Sequence, residues 1–379
     1  MNTQALVDFT PALRLVLLAG VTALLPLSWV WLRQRGADTR GRLAALTALT
    51  LFLTFDLVVF GAFTRLTDSG LGCPDWPGCY GAASPLGAHE AINAAQSALP
   101  SGPVTWSKAW IEMIHRYLAM TVGALIVALA AVSWRERRRL PFSLAWPLLT
   151  LVWVIVQGLF GKYTVTLKLY PAVVTLHLMG GLTLLGLLAA QHEAYRQRPL
   201  ALPPGLRSAV VAALVVLAVQ LALGGWVSSN YAVLACNGFP KCNGSWWPQA
   251  DFAGGFTVLR ELGGVAAHGR PLTLDGLVAI HLVHRLYAVV VVLALGGLAW
   301  RLRRVNDAVA RRYGHVLALL LLAQLVTGLS NVVLGWPLVA ALAHTAGAAG
   351  LVLTLTLLLA RTASRQPAAA RVVPQPAAA

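Results

Sequence analysis

"EMIHRYLAMTVGALIVALA" (residues 112–130) and "HLVHRLYAVVVVLALGG" (residues 281–297) decide how this chain is read. Each is an apolar run that opens with His-Arg, at His115-Arg116 and at His284-Arg285. A second histidine-bearing run follows each: "TLHLMGGLTLLGLLAA" (175–190) carries His177, and "ALAHTAGAAGLVLTLTLLLA" (341–360) carries His344. An imidazole inside the hydrocarbon region of a bilayer is costly and marks a functional position. The neutral imidazole nitrogen is a common ligand for iron. The competing reading is a histidine bonded to a carbonyl of a neighbouring helix, which suits a lone histidine. Two matched pairs point instead to two metal or haem sites.

The rest of the chain fits a membrane setting. It has 379 residues, of which 58% are hydrophobic and 11% charged, with a mean hydropathy of +0.71. A soluble domain carries about 25% charged residues. The composition therefore predicts an all-α polytopic membrane protein. A net charge of +16 could suggest nucleic acid, but the basic residues lie in short loops between apolar runs, where they report topology. Membrane lipid, and no nucleic acid, is the expected surrounding. At roughly 20 residues per span, nine spans are predicted, at 11–32, 43–64, 109–133, 141–160, 171–191, 207–229, 275–300, 313–334 and 336–360. The first has only Arg14 near its start and no small-residue cleavage site, so it reads as a retained helix rather than a signal peptide.

Orientation follows from arginine. One set of loops holds Arg33 to Arg42, Arg135 to Arg139, Arg196 to Arg207 and Arg301 to Arg312, and the tail adds Arg361, Arg365 and Arg371. Positive charge is retained inside. The expectation is a bacterial inner-membrane protein with a periplasmic N-terminus and a cytoplasmic C-terminus. Cys73, Cys79, Cys236 and Cys242 then fall in two long outer loops, 65–108 and 230–274, where an oxidising compartment favours disulfides.

Those loops expose an internal repeat. "GAFTRLTDSGLGCPDWPGC" (61–79) and "GGWVSSNYAVLACNGFPKC" (224–242) share the spacing from glycine to first cysteine, the Cys-x5-Cys pair and an aromatic-Pro step inside it. The predicted organisation is one extra N-terminal helix with a basic inner loop (1–42), a first four-helix unit (43–200), a second four-helix unit (201–361) and a disordered tail (362–379). Four helices is an even number, so the units form a parallel repeat. All four histidines lie near the outer ends of their helices, ~9–14 Å in at 1.5 Å rise per residue.

At "IEMIHR", "CPDWPGC" and the doubled unit, the chain resembles the haem A synthase family over most of residues 43–360. The motifs carrying the resemblance are Glu112-x-x-His115-Arg116 with His177, its second copy at His284, Arg285 and His344, and Cys73 and Cys79 preceded by "TRLTDSGLG". The resemblance implies that His284 and His344 ligate the iron of a resident haem b and that His115 and His177 hold the substrate, haem O. The implied reaction oxidises one methyl of haem O to a formyl group, by successive hydroxylation, to give haem A for cytochrome oxidase. The implied partners are the haem O synthase (a farnesyltransferase) and an electron donor. The extra first helix departs from the family's eight-span plan.

The residues add roles of their own. Glu112 lies one turn before His115 on the same face, so its carboxylate can accept a proton or stabilise positive charge. Alternatively it caps its helix. The corresponding position in the second half is His281. Arg116 and Arg285 can pair with haem propionates or snorkel to headgroups. Each cysteine pair can staple its loop, and the resemblance allows Cys73–Cys79 a redox or transfer role. Asp56, mid-span, belongs to a proton path or bonds a polar neighbour. His89, His192, His268 and His315 read as solvated. A di-haem cytochrome moving electrons is the alternative function, but a transmembrane wire would put its haems at opposite depths. A transporter would need interrupted helices at the midplane, and the histidine-bearing spans contain no proline.

Overall fold

The computed structural model describes residues 10–140, 143–260 and 271–363. His268, Arg365, Arg371 and nearly all of the 362–379 tail lie outside the described residues. Among the described residues nine helices are long and apolar enough to cross a membrane, and the chain is a multi-pass membrane protein. They are α1 (Thr10–Arg33), α2 (Thr39–Leu66), α4 (Trp106–Arg135), α5 (Ala145–Thr166), α6 (Pro171–Arg196), α7 (Leu206–Ser229), α9 (Leu274–Arg303), α10 (Ala308–Val333) and α11 (Leu338–Ala363). Two short helices lie in the long loops, α3 (His89–Ala98) and α8 (Phe252–Gly255).

The helix ends follow local chemistry. Asp38, Thr105, Thr273 and Asp307 cap α2, α4, α9 and α10 through their side-chain oxygens, which satisfies otherwise orphaned N–H groups. The span predicted at 141–160 is displaced: α5 runs Ala145–Thr166. Pro147 is tolerated in its first turn. The polar stretch after Gln157 stays helical until Lys168 and Leu169 adopt left-handed backbone before Pro171.

Packing groups the helices by neighbour. α2, α4, α5 and α6 close one ring; α7, α9, α10 and α11 close another. α6 and α11 pack on each other, with α6 on α7 and α2 on α11 completing the junction. One apolar cluster, including Leu125, Leu129, Leu185 and Leu188, fills the half of the first ring remote from the cysteine loops. A second cluster, including Val210, Leu295, Leu302, Leu317 and Leu355, fills the second ring. A buried polar network crosses that same end of the first ring: Tyr195 Oη lies 2.9 Å from Ser133 Oγ and accepts from Gln191 Nε2, and Thr150 Oγ1 donates to Gln191 Oε1. Such groups are tolerated inside only when they bond each other.

The first helix has a clear packing role. α1 lies mainly against α4, with Thr22 and Thr121 hydroxyls 2.7 Å apart. Its Leu15 is buried with Cys73, Cys79, Ile92, Ala109 and Met113. α1 therefore supports the first cysteine loop as well as α4, while Val16, Leu17, Val21 and Leu24 face outward.

Candidate functional site

Each of the four histidines lies near the end of its helix that adjoins a cysteine loop or its connecting turn. His115, His177, His284 and His344 stand nine, six, ten and six residues into α4, α6, α9 and α11. At 1.5 Å per residue they are ~9–15 Å deep. His115 and His177 are close enough to interact electrostatically, as are His284 and His344. The structure thus brings together the two pairs that the sequence proposed.

All four imidazoles rest on a glycine of the neighbouring helix. A Cβ built on Gly61 would stand 3.0 Å from His115 Cε1, on Gly224 3.2 Å from His284 Cε1, and on Gly328 3.1 Å from His344 Cε1. On Gly161 it would stand 3.6 Å from His177 Cε1. The missing side chains leave room for the rings. A glutamine precedes three of these glycines by one turn, at Gln157, Gln220 and Gln324. Gln220 donates to the His284 carbonyl at 3.2 Å and its amide lies 3.4 Å from His284 Nε2. Gln324 donates to the His344 carbonyl at 2.9 Å, and Thr327 Oγ1 lies 3.0 Å from His344 Nδ1. Sequence reading missed these supports. Their signal is Gln-x-x-x-Gly, present at 157–161, 220–224 and 324–328.

The Nδ1 atoms of His115, His177 and His284 are buried without a hydrogen-bond partner. A buried unpaired polar nitrogen is destabilising, so these rings are not held as satisfied core histidines. Among the described residues no group of three or more His, Cys, Asp or Glu side chains forms a metal site. Two imidazoles suit a haem iron, whose macrocycle supplies the other ligands. The donor sets fit haem.

Above the histidines, each cysteine pair is a disulfide, Cys73–Cys79 and Cys236–Cys242. Each loop is clamped by the two residues flanking its histidine. Glu112 Oε2 accepts from the Cys73 N–H at 2.8 Å, and Glu112 Oε1 accepts from Arg116 at 2.5 Å. Arg116 also donates to the carbonyls of Asp75 (2.9 Å), Pro77 (3.2 Å) and Gly78. In the second half Arg285 donates to His281 Nε2 at 3.2 Å, to the Gly238 carbonyl at 2.9 Å and to the Cys236 carbonyl. Gly72 lets the first loop close on α4, since a Cβ there would strike the Lys108 backbone.

These contacts revise several expectations. Glu112 does not cap α4, because the helix starts at Trp106 and Thr105 takes the cap. Arg116 is buried, which removes it from lipid headgroups; loop carbonyls engage it and Arg285 alike. His192 is not simply solvated: its Nδ1 lies 3.0 Å from the Ala44 carbonyl. His89 and His315 are exposed. Asp56 is exposed on α2 and lines an open groove with Val59, Phe60, Phe63 and Leu342.

The two loops also touch each other. Arg65 donates to the Ser228 carbonyl at 2.5 Å, pairs with Asp68 at 3.2 Å and lies 4.0 Å over the Tyr231 ring. Tyr231 donates to Asp68 at 2.7 Å. Burial, and then Asp68 as acceptor, push the Tyr231 phenol above its ordinary value, so it stays a neutral donor.

Comparison with known proteins places the chain in a family. Residues 44–356 match the sequence model of the COX15-CtaA family, described as cytochrome oxidase assembly protein. The chain is 38% identical to a heme A synthase of Shewanella oneidensis, over 83% of this chain and 94% of that one. It is 32% identical to a heme A synthase of Methylobacterium nodulans, over 82% and 89% respectively. It is 26% identical to one of Halalkalibacterium halodurans, over 75% and 85%. The family match begins after α1.

Proposed function

This chain belongs to the COX15-CtaA family of cytochrome oxidase assembly proteins, and we propose that it is a haem A synthase, an oxidoreductase that converts a methyl group of haem O to the formyl group of haem A through successive hydroxylation. The observation that carries this reading is the two couples of half-buried imidazoles, each ring seated on a glycine.

In this reading His284 and His344 hold a resident haem b, with Gln220, Gln324 and Thr327 fixing the two ligand-bearing segments. When bound, that haem supplies one-electron transfer. His115 and His177 hold haem O as substrate. Glu112 sits one turn from His115, and its carboxylate takes up a proton or balances positive charge that develops as the methyl is oxidised. The clamp that Glu112 and Arg116 make with residues 73–78 closes the site from outside and keeps water away. We assign Arg116 and Arg285 to holding the loops, because each already donates to at least two loop carbonyls. The two rings act as one catalytic and one electron-storing unit, in parallel repeat. The N-terminus lies in the periplasm and the C-terminus in the cytoplasm. A haem O synthase hands over the substrate, and a separate donor supplies or removes electrons.

The test is chromatography and mass analysis of haems from cells that make haem O and express this chain. Haem A and one resident haem b are expected. Unmodified haem b alone, with haem O and an electron donor present, would establish an electron-transfer cytochrome instead. His284→Ala or His344→Ala should abolish the six-coordinate low-spin haem b spectrum.

A further inference from the structure

Asp56 lies in the middle of α2, ten residues from its end at Leu66. That is ~15 Å of helix, too far for a short side chain to reach water. The side chain is exposed on the helix surface. Its carboxyl is absent from the hydrogen bonds and ion pairs found among the described residues. A charged residue at that depth costs about 2.5–3.5 kcal/mol on insertion scales. A polar group in such a place is a functional hypothesis by default, and no partner that would offset its cost lies among the described residues.

Its surroundings indicate what that partner is. Asp56 opens onto a groove of about 350 Å³ at the junction of α2 and α11, lined otherwise by Val59, Phe60, Phe63 and Leu342. The groove borders the first histidine pair through one residue. Phe60, one turn from Asp56, lines it and also stacks on His115, with ring centroids 6.3 Å apart and planes 12° from parallel. Leu342 lies two residues before His344. The other three glycine-bearing helices place an inward glutamine one turn before the glycine. In α2 that position is Leu57, and the polar residue is its neighbour Asp56, turned into the groove. Asp56 is five residues from Gly61, ~7.5 Å along the axis, which is on the scale of a porphyrin's half-width.

An open apolar groove with one acceptor, bordered by the phenylalanine that lies beside His115, fits a long hydrocarbon arm with a single hydroxyl near its root. Resting on the haem O reading above, we propose that Asp56 accepts a hydrogen bond from the hydroxyl on the isoprenoid arm of haem O, and that Val59, Phe60, Phe63 and Leu342 cover the start of its alkyl chain. The site then distinguishes haem O from haem b, which lacks both hydroxyl and arm.

The test uses purified full-length protein with its resident haem, titrated with haem O or haem b and followed by the change in absorbance. A hydrogen bond to a charged group carries roughly tenfold or more in affinity. Wild type should prefer haem O. Asp56→Leu should weaken haem O by about tenfold or more and leave haem b unchanged, and Asp56→Asn should fall between. Leu342→Trp, which fills the groove without touching the acid, should also weaken only haem O. The resident haem spectrum reports folding in each variant. An unchanged haem O to haem b ratio in both Asp56→Leu and Leu342→Trp overturns the subsite, whether or not those variants lose binding to another membrane protein. Wild type that makes no haem A overturns the functional reading itself, and this subsite with it.

Discussion

Glu112→Gln is the sharpest perturbation, because the structure gives the carboxylate two tasks that can be separated. It pairs with Arg116 while both are buried, and it accepts the Cys73 N–H. Glutamine keeps an acceptor for that N–H but leaves Arg116 without a counter-charge. Breaking a buried pair from one side costs about 3–5 kcal/mol. Three loop carbonyls still receive Arg116, so the lower end of that range, about 3 kcal/mol, is expected. A base or charge stabiliser contributes about 10²–10⁴-fold in rate, equivalent to about 3–5 kcal/mol of barrier. Loss of stability and loss of chemistry are thus similar in size, and one variant cannot separate them. The double variant Glu112→Gln/Arg116→Met can. It leaves no unpaired buried charge, so it should unfold at a higher temperature than either single variant. It should still make little haem A, with haem O or its hydroxylated form accumulating. The assays are thermal unfolding and haem chromatography on the same preparations. Haem A restored in the double variant would refute the catalytic assignment and leave Glu112 as a partner for Arg116 alone.

Two further expectations are quicker to check. Gly224→Ala and Gly328→Ala place a methyl 3.2 and 3.1 Å from the imidazoles of His284 and His344, so each should alter the low-spin spectrum of the resident haem. Gly161→Ala, at 3.6 Å from His177, should bind haem O as wild type does. For topology, cysteine at the exposed Arg138 should resist a membrane-impermeant thiol reagent applied from the periplasm, and cysteine at the exposed Trp246 should react; the reverse pattern would invert the assigned orientation.

The spans were legible in the sequence because bilayer crossing depends on local composition. All nine predicted segments correspond to long helices, and the largest error, at α5, arose where a polar stretch around Lys162 stayed helical. The four histidines were legible because isolated imidazoles stand out in apolar runs. The disulfides were legible from spacing. The clamp was not. Glu112 meets Cys73 across 39 residues of chain, and nothing local to "EMIHR" says that a loop so distant will fold onto it. Locally, Glu112 read as a catalytic carboxylate or a helix cap, and Arg116 as a propionate or headgroup contact. The glycine seats and their glutamines were present as a repeated spacing, but glycine and glutamine are common enough in membrane helices that only the packed neighbours give them meaning. Asp56 was recognisable as costly, and the groove beside it needed the three-dimensional approach of α11 to α2.

The two halves supply an internal control on what a carboxylate is for. Both clamp a cysteine loop with an arginine one residue after the histidine, and both give that arginine an acceptor one turn earlier. In the second half the acceptor is the neutral ring of His281, at 3.2 Å from Arg285. In the first it is Glu112, whose bond to Arg116 is charge-assisted and stronger. An arginine clamp can therefore be built without an acid, although Glu112 also accepts the Cys73 N–H. Glu112→His copies the second half into the first. It should preserve the Cys73–Cys79 disulfide, since imidazole can accept from Arg116 as His281 does from Arg285. Resident haem b and haem O binding should persist, while haem A falls sharply, because an imidazole beside a buried arginine carries no negative charge and its single acceptor nitrogen is engaged by Arg116. Disulfide state by mass, haem O titration and haem chromatography read these three outcomes separately. Wild-type haem A from this variant would show that the first half needs only an acceptor for Arg116, and the catalytic asymmetry between the halves would have to lie elsewhere.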